Sequence, residues 1–214
     1  MKIIQLCVGM VEANCLIGYD EKSLEGFVVD PGGEPERILR EIEERKLTIT
    51  HILCTHGHFD HIMAAARVCE ATGAKICVHT YDAPKLTSAE ENLYSRFTGT
   101  DEGFTPVQPD ILLQDGDELT AAGVTWEVLH TPGHTAGCVC FDSGEILLSG
   151  DTVFANSCGR VDFPDGDRNE MMRSLQMIAE LDGERMVYSG HGEAALLSDI
   201  RRYNPFVRQA VALG

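Results

Sequence analysis

The sequence lacks a long apolar run, a Cys-x-x-Cys pair, internal repeats and a recognisable leader segment. No stretch reaches the roughly 18 apolar residues that a membrane-spanning helix needs, and the first residues lack the apolar core and cleavage site of a signal peptide. The eight cysteines are therefore expected to be small buried side chains in a reducing compartment rather than disulfide partners. These absences predict a cytoplasmic protein that makes no membrane contact.

Positive charge is also scarce in this chain. Lys and Arg number 17 against 34 Asp and Glu, which gives a formal net charge of −17. Such a field repels the phosphates of nucleic acids, so a nucleic-acid partner is not expected. The 214 residues are 43% hydrophobic and 24% charged, as in a globular protein that can bury a core without disulfides. Because no linker is visible, residues 1–214 are predicted to form a single domain.

Hydrophobic periodicity and turn residues predict a chain rich in β-structure with interspersed helices. The polar stretch over 81–110 is predicted to be irregular, either as a lid over a site or as a disordered loop. A last helix is predicted to be capped by Ser198. The order of elements is typical of sheets that pack on each other with helices outside. The predicted strands cover 3–8, 14–19, 26–30, 49–54, 75–79, 111–114, 117–121, 124–129, 137–142, 145–149 and 186–189, and the other predicted helices cover 36–46, 61–72 and 169–181.

Three of the eight histidines fall within the short segment Thr55-His56-Gly57-His58-Phe59-Asp60-His61. Two imidazoles two residues apart can point at one ion from a turn, while Asp60 and His61 at a helix start can face a second ion. Burying so many polar groups would carry a desolvation cost unless something binds them. The segment therefore predicts a metal site rather than a solvated polar loop.

Three further candidates lie where an apolar strand runs into a glycine-containing turn. They are His134 in Pro-Gly-His-Thr, Asp151 in Ser-Gly-Asp-Thr and His191 in Gly-His-Gly. Strand ends hold side chains with little freedom. Each residue alone is typical of an ordinary loop, but together with the histidine segment they supply five His and two Asp. That set suits two divalent cations with one carboxylate between them.

Four other polar residues are not predicted to be metal ligands. His51, His79 and His130 lack the glycine-turn context and are expected to be structural. Asp30 ends a predicted strand, where it could accept a hydrogen bond from a ligating imidazole and orient it, or simply cap a turn.

The four motifs, in this order along the chain, resemble those of the metallo-β-lactamase superfamily. Within it the chain looks most like the short proteins related to glyoxalase II (hydroxyacylglutathione hydrolase), because Gly-Arg-Val-Asp-Phe-Pro at 159–164 and Asn-Pro-Phe at 204–206 also match. The resemblance implies an α+β fold, a four-layer αββα sandwich of two mixed sheets with helices on the outer faces. The metals are expected at one sheet edge.

The resemblance also implies a ligand set of seven residues. It assigns a first metal to His56, His58 and His134, a second to Asp60, His61 and His191, and the position between them to Asp151. Zinc is the favoured metal, and His and carboxylate ligands also accept iron or manganese.

The implied activity is that of a binuclear thioesterase of glyoxalase II type, with an acyl thioester as its small-molecule substrate. A hydroxide shared by the two metals attacks the thioester carbonyl, and Asp60 also orients the attacking water. Two alternatives remain open, namely a mononuclear iron persulfide dioxygenase and a non-catalytic metal-binding protein. Antibiotic hydrolysis is disfavoured, because true metallo-β-lactamases usually have Cys at the position of Asp151 and lack the His61 ligand.

Three features near or after the motifs bear on the substrate. Arg160 is a candidate for guiding a carboxylate-bearing substrate, although an ion pair with a nearby Asp is the favoured interpretation. Glu193 replaces the proline usual in the subgroup. The chain ends soon after His191, without the helical domain that contributes to glutathione binding in the full enzyme, which weakens the expectation of a glutathione thioester.

Overall fold

The computed structural model describes residues 1–213, in which two six-stranded mixed sheets face each other. In both sheets the strands lie side by side in the order in which they follow one another along the chain. The first sheet contains β1 (Lys2–Val8), β2 (Ala13–Tyr19), β3 (Glu25–Val29), β4 (Thr48–Leu53), β5 (Lys75–His79) and β6 (Ile111–Leu113). The second contains β7 (Glu118–Ala121), β8 (Val124–His130), β9 (Val139–Asp142), β10 (Ile146–Gly150), β11 (Met186–Ser189) and β12 (Ala195–Leu196).

Helices cover the outer faces of both sheets. The first sheet carries α1 (Pro35–Glu44) and α3 (Ala65–Thr72), whose Ile38 and Val68 pack with the outward side chains of β3 and β4. The second sheet carries α5 (Arg168–Glu180), α6 (Leu197–Tyr203) and α7 (Pro205–Leu213), with Leu175 and Ile200 in a common cluster. Short helices α2 (Phe59–Ile62) and α4 (Tyr94–Thr98) and a 3₁₀ turn at Ala83–Leu86 lie in the connections. The predicted αββα sandwich is confirmed.

The inner faces of the two sheets enclose an apolar core. Phe27 from β3 and Trp126 from β8 are fully buried there, with ring centroids 5.3 Å apart in an edge-to-face arrangement. Aromatic pairs of this geometry stabilise the folded state by about 0.5–1.5 kcal/mol beyond the stabilisation that comes from burying their apolar area. The core holds the two sheets in a fixed relation, so loops at one edge of both sheets have fixed positions.

Parallel pairing decides which loops meet at that edge. In the first sheet β3 pairs in parallel with β4, so Val29 lies opposite Leu53. In the second sheet β10 pairs in parallel with β11, so Gly150 lies opposite Ser189. The segments after neighbouring parallel strands leave the sheet side by side. Residues that follow these four strands are therefore neighbours in space.

The structure corrects the local predictions at three places. The helix predicted over 61–72 is interrupted, because the Ala64 backbone N–H donates to the Pro31 carbonyl oxygen at 2.8 Å. The Ser198 cap is wrong: α6 begins at Leu197, and the Ser198 N–H donates to a Glu184 carboxylate oxygen at 3.0 Å. The stretch 81–110 is not entirely irregular, since it contains the 3₁₀ turn and α4.

No helix among residues 1–213 has the length and apolar character needed to cross a membrane. The single-domain assignment for residues 1–214 stays a prediction.

Candidate metal centre

All seven predicted ligand residues converge at one edge of the two sheets. The loop after β4 carries His56 and His58, and α2 carries Asp60 and His61. The remaining three follow β8, β10 and β11, each within four residues of the strand end, and are His134, Asp151 and His191. The strand ends bring together side chains that are far apart in the sequence.

The first group consists of His56, His58 and His134, all buried, with one nitrogen of each within 4.8 Å of the others. His58 Nδ1 lies 2.9 Å from His134 Nε2. The other ring nitrogen of His134, Nδ1, lies 2.7 Å from the Arg160 carbonyl oxygen, which can only accept a hydrogen bond. His134 Nδ1 therefore carries the proton, and its Nε2 presents a lone pair to the group.

The second group consists of Asp60, His61 and His191. Asp60 Oδ2 lies 3.4 Å from His191 Nε2 and 3.6 Å from His61 Nε2. Ligand atoms around one tetrahedral cation, each about 2.0–2.2 Å from it, are about 3.3–3.6 Å apart. The spacing of the second group fits a single ion.

Asp151 lies between the two groups and contacts both. Its Oδ1 is 3.5 Å from His61 Nε2, and its Oδ2 is 3.5 Å from His134 Nε2 and 3.7 Å from His191 Nε2. One carboxylate can thus serve two cations at once. This is the arrangement that a bridging ligand requires.

The donor atoms themselves indicate that a cation belongs here. His56 Nε2, His61 Nε2 and Asp151 Oδ1 are buried without a hydrogen-bond partner. Buried polar atoms are normally paired, and leaving them unpaired is costly. A glycine keeps the space open: a Cβ on Gly190 would lie 2.2 Å from Asp151 Oδ1 and 2.7 Å from His61 Cε1. The residues fit divalent metal ions of the His and carboxylate type.

Burial and neighbouring charges set the protonation of the two groups differently. Burial lowers the pKa of His58 to about 3. Burial also lowers the pKa of His56 well below its usual range. Both imidazoles are therefore neutral at pH 7 and can ligate without first losing a proton.

The second group has the opposite electrostatics. Burial alone would lower the pKa of His61, but the charges of Asp60 and Asp151 outweigh it and raise that pKa to about 10. Burial likewise opposes ionisation of Asp60, yet the adjacent His61 and His191 lower the pKa of its carboxyl below the usual range. Asp60 is thus a carboxylate at neutral pH, and a cation at this group would replace the proton of His61.

A model of the metallo-beta-lactamase superfamily matches residues 17–191. The chain belongs to this superfamily. It is 33% identical to a hydroxyacylglutathione hydrolase, GloC, of Haemophilus influenzae over 97% of this chain and 98% of that protein. Among solved structures it is similar to the B3 metallo-beta-lactamase BLEG-1 (TM-score 0.90, 33% identity, 96% and 99% of the two chains). It is also similar to TTHA1623 in a di-iron-bound form (TM-score 0.80, 32% identity, 95% and 99%).

Asp30 contacts one imidazole of the candidate site, that of His61. Its carboxylate accepts hydrogen bonds from the Thr55 N–H at 2.8 Å and the Thr55 hydroxyl at 2.6 Å, and lies 3.0 Å from His61 Nδ1. The bond to His61 fixes the proton on Nδ1 and leaves Nε2 directed into the second group. A positive φ of 47° at Asp30 turns the chain at the end of β3. Asp30 thus lies beside one candidate ligand, His61, and its role in orienting a ligating imidazole stays a prediction.

Sequence reasoning missed one residue beside the candidate site, the fully buried Asp82. Its carboxylate accepts from the Gly57 N–H at 2.7 Å, between two candidate ligand histidines, and from the Thr135 hydroxyl at 2.8 Å, next to a third. It also accepts from the Gly137 N–H at 3.0 Å and pairs with Lys85 Nζ at 2.9 Å. The only sequence signal is its position shortly after β5, at the same sheet edge.

Replacing Asp82 with alanine is expected to lower metal affinity about 10–100-fold, because the two loops of the first group lose their common acceptor. The free energy of unfolding should fall by about 3–5 kcal/mol, since Lys85 is left buried with only Asp165 as a partner. Zinc titration against a chelator and thermal unfolding measure the two effects.

The matched control is Asp142→Ala. Asp142 is also buried and pairs with the Arg185 guanidinium at 2.9 Å, at the opposite end of β9 from the metal centre. It should cost comparable stability and leave metal affinity unchanged. Equal loss of metal affinity in both variants would contradict the expectation.

The remaining predicted residues lie outside the ligand groups. His79 and His130 stack on each other with ring centroids 4.2 Å apart and planes inclined by 8°, and His51 Nδ1 lies 2.9 Å from Thr50 Oγ1. Arg160 forms two 2.6 Å hydrogen bonds to Asp162, the ion pair that the sequence favoured. A role for Arg160 in substrate binding stays a prediction.

Proposed function

We propose that the protein is a binuclear metal-dependent thioester hydrolase of glyoxalase II type. The observation that carries the proposal is the position of Asp151, whose carboxylate contacts both ligand groups. The similarity to a hydroxyacylglutathione hydrolase over nearly the whole chain supports the reaction class.

The first cation would be held by His56, His58 and His134, the second by Asp60, His61 and His191, and both by Asp151. Zinc is the metal we propose, with iron or manganese compatible with the same ligands. When bound, such a pair lowers the pKa of water to about 7 and polarises a carbonyl oxygen.

The chain's own residues position the reactants. The Asp60 carboxylate, ionised at neutral pH, accepts a hydrogen bond from the attacking water and orients it toward the carbonyl carbon. The leaving group is a thiolate, whose conjugate acid has a pKa of about 8.5. It therefore needs little help from a general acid.

We also propose a cytoplasmic location. All eight cysteines are free thiols, as expected in a reducing compartment. With a net charge of −17, the protein is proposed to act on a small molecule rather than on nucleic acid.

The test is elemental analysis of protein purified without added metal, combined with a thioester panel. We expect about two metal ions per chain and hydrolysis of at least one thioester, abolished by a chelator and restored by zinc. One iron per chain with oxygen uptake on glutathione persulfide would replace the proposal with the dioxygenase alternative. A full complement of metal ions without turnover of any substrate would show that the protein is a non-catalytic metal-binding protein.

β-Lactam hydrolysis is the second candidate. The sequence disfavours it because Asp151 occupies the position of the usual Cys, but the similarity to a B3 metallo-beta-lactamase at a TM-score of 0.90 favours including it. A chromogenic cephalosporin in the same panel decides between the two activities. If its kcat/KM exceeds that of every thioester tested, β-lactam hydrolysis becomes the favoured function.

A further inference from the structure

A cleft of about 270 Å³ opens onto the metal centre. It is lined by two members of the first ligand group, His58 and His134, by Asp60 and His191 of the second, and by Asp151. Six apolar side chains also line it: Phe59 and five that are here termed the apolar wall, namely Val11, Leu93, Phe97, Phe154 and Phe163.

Aromatic rings of the apolar wall flank both ligand groups. The Phe163 ring centroid lies 5.3 Å from that of His58, and the Phe154 ring centroid lies 6.0 Å from that of His191. A group bonded to a carbonyl at the metal centre would therefore pack against these rings. The wall is built to receive apolar surface.

Phe97 extends the apolar wall toward solvent. It belongs to α4, its ring centroid is 5.2 Å from that of Phe59 and 6.2 Å from that of Phe163, and it is 53% exposed. Exposed aromatic side chains grouped at the mouth of a cleft are typical of ligand-binding sites.

The cleft offers no free cation to a charged substrate. Among the described residues that line it, Arg160 is the one cationic side chain apart from the histidines, and its guanidinium is bound to Asp162 and lies 4.4 Å above the Phe163 ring. Nearby, Lys85 is already paired with Asp82 and Asp165. The acidic chain would also repel a carboxylate-bearing substrate at long range.

We propose that the substrate is a thioester with an uncharged apolar acyl group, aryl or medium-chain alkyl, that packs on the apolar wall. The proposal rests on the thioester hydrolysis proposed above and specifies its substrate class. Water forms the new C–O bond, the C–S bond breaks, and the products are the acyl carboxylate, a thiol and the proton released at neutral pH.

The experiment compares the holoenzyme on acetyl, hexanoyl, phenylacetyl and succinyl thioesters of one neutral thiol, N-acetylcysteamine, and on S-D-lactoylglutathione. We expect kcat/KM for the hexanoyl and phenylacetyl substrates to exceed that for acetyl by about 10–100-fold, because added apolar groups bind the pocket. Succinyl and lactoylglutathione should be no better than acetyl.

The variant Phe97→Ala isolates the apolar wall. Because Phe97 is largely exposed, its loss should leave the fold and the metal content unchanged. We expect about a tenfold fall in kcat/KM for phenylacetyl and a change of less than about twofold for acetyl. Tyr203→Ala, which removes another exposed aromatic residue in α6, is the matched control and should change neither.

A binding measurement separates failure of this inference from failure of the proposed function. Calorimetric titration with phenylacetate and acetate should show tighter binding of phenylacetate in the wild type and a reduced difference in Phe97→Ala. If acetyl and lactoyl substrates are hydrolysed without any apolar preference, the inference is wrong while thioester hydrolysis stands. If no thioester is hydrolysed and the two carboxylates bind equally, both proposals fail.

Discussion

Asp151→Ala is expected to lower kcat for thioester hydrolysis by at least about 10³-fold and to reduce the metal content from about two ions per chain to about one. The reason is that this carboxylate contacts both ligand groups, at 3.5 Å from His61 Nε2 and 3.5 Å from His134 Nε2. Elemental analysis and single-turnover kinetics measure the two effects on the same preparation.

The control for Asp151 is Asp199→Ala, which removes an exposed carboxylate in α6. It changes the net charge equally and should keep both ions and full activity. An Asp151→Ala protein that retains two ions and wild-type kcat would rule out a bridging role.

Gly190→Ala is expected to lower kcat by at least about 10²-fold, because a displacement of about 1 Å among reacting groups has an effect of that size. The added methyl carbon would lie 2.2 Å from Asp151 Oδ1, so the carboxylate must move out of its position between the two groups. Metal content and kcat should fall together, while the thermal unfolding temperature changes little, since the site rather than the core is displaced.

Gly192→Ala supplies the matched control from the same loop. A Cβ there meets nothing within 4 Å, although the positive φ of 78° is unfavourable for alanine. We expect a modest loss of stability of about 1 kcal/mol with both metal ions retained. Equal loss of metal in the two variants would show that loop strain, and not the space at Asp151, is responsible.

The two ligand groups bear on the alternative activities. A mononuclear dioxygenase would use the first group together with one acidic residue. The second group is nevertheless complete, and His61 has both its Nδ1 bond to Asp30 and an unpartnered Nε2. A site that needed one ion would leave these buried polar atoms without a function, which favours the binuclear proposal.

Much of the candidate site could be predicted from the chain because its residues carry chemistry that packing does not explain. The segment from His56 to His61 concentrates imidazoles and a carboxylate in six positions. Each of the other three candidates lies in a glycine-containing turn after an apolar strand, and this local pattern identifies the end of the strand. They are His134, Asp151 and His191. Asp82 carries no such mark, because its role comes from three backbone and side-chain donors supplied by distant loops.

Local structure was predictable where short-range patterns decide it and not where tertiary contacts do. The helix α3 ends at Thr72, the predicted end of the helix over 61–72, where Gly73 takes a left-handed conformation. The interruption after α2 was missed because it follows from a backbone bond to Pro31, and Ser198 does not cap because Glu184 binds its N–H.

By itself, the sequence determined the superfamily and the sandwich architecture, because the His and Asp motifs that resemble those of the superfamily are local properties, and the same motifs predict the candidate ligands. Only the tertiary structure decided that Asp151 contacts both ligand groups, that Asp82 joins the loops of the first group, and that aromatic side chains from three separate segments form one apolar wall. These relations depend on parallel strand pairing and sheet packing, which place residues together that no sequence spacing connects.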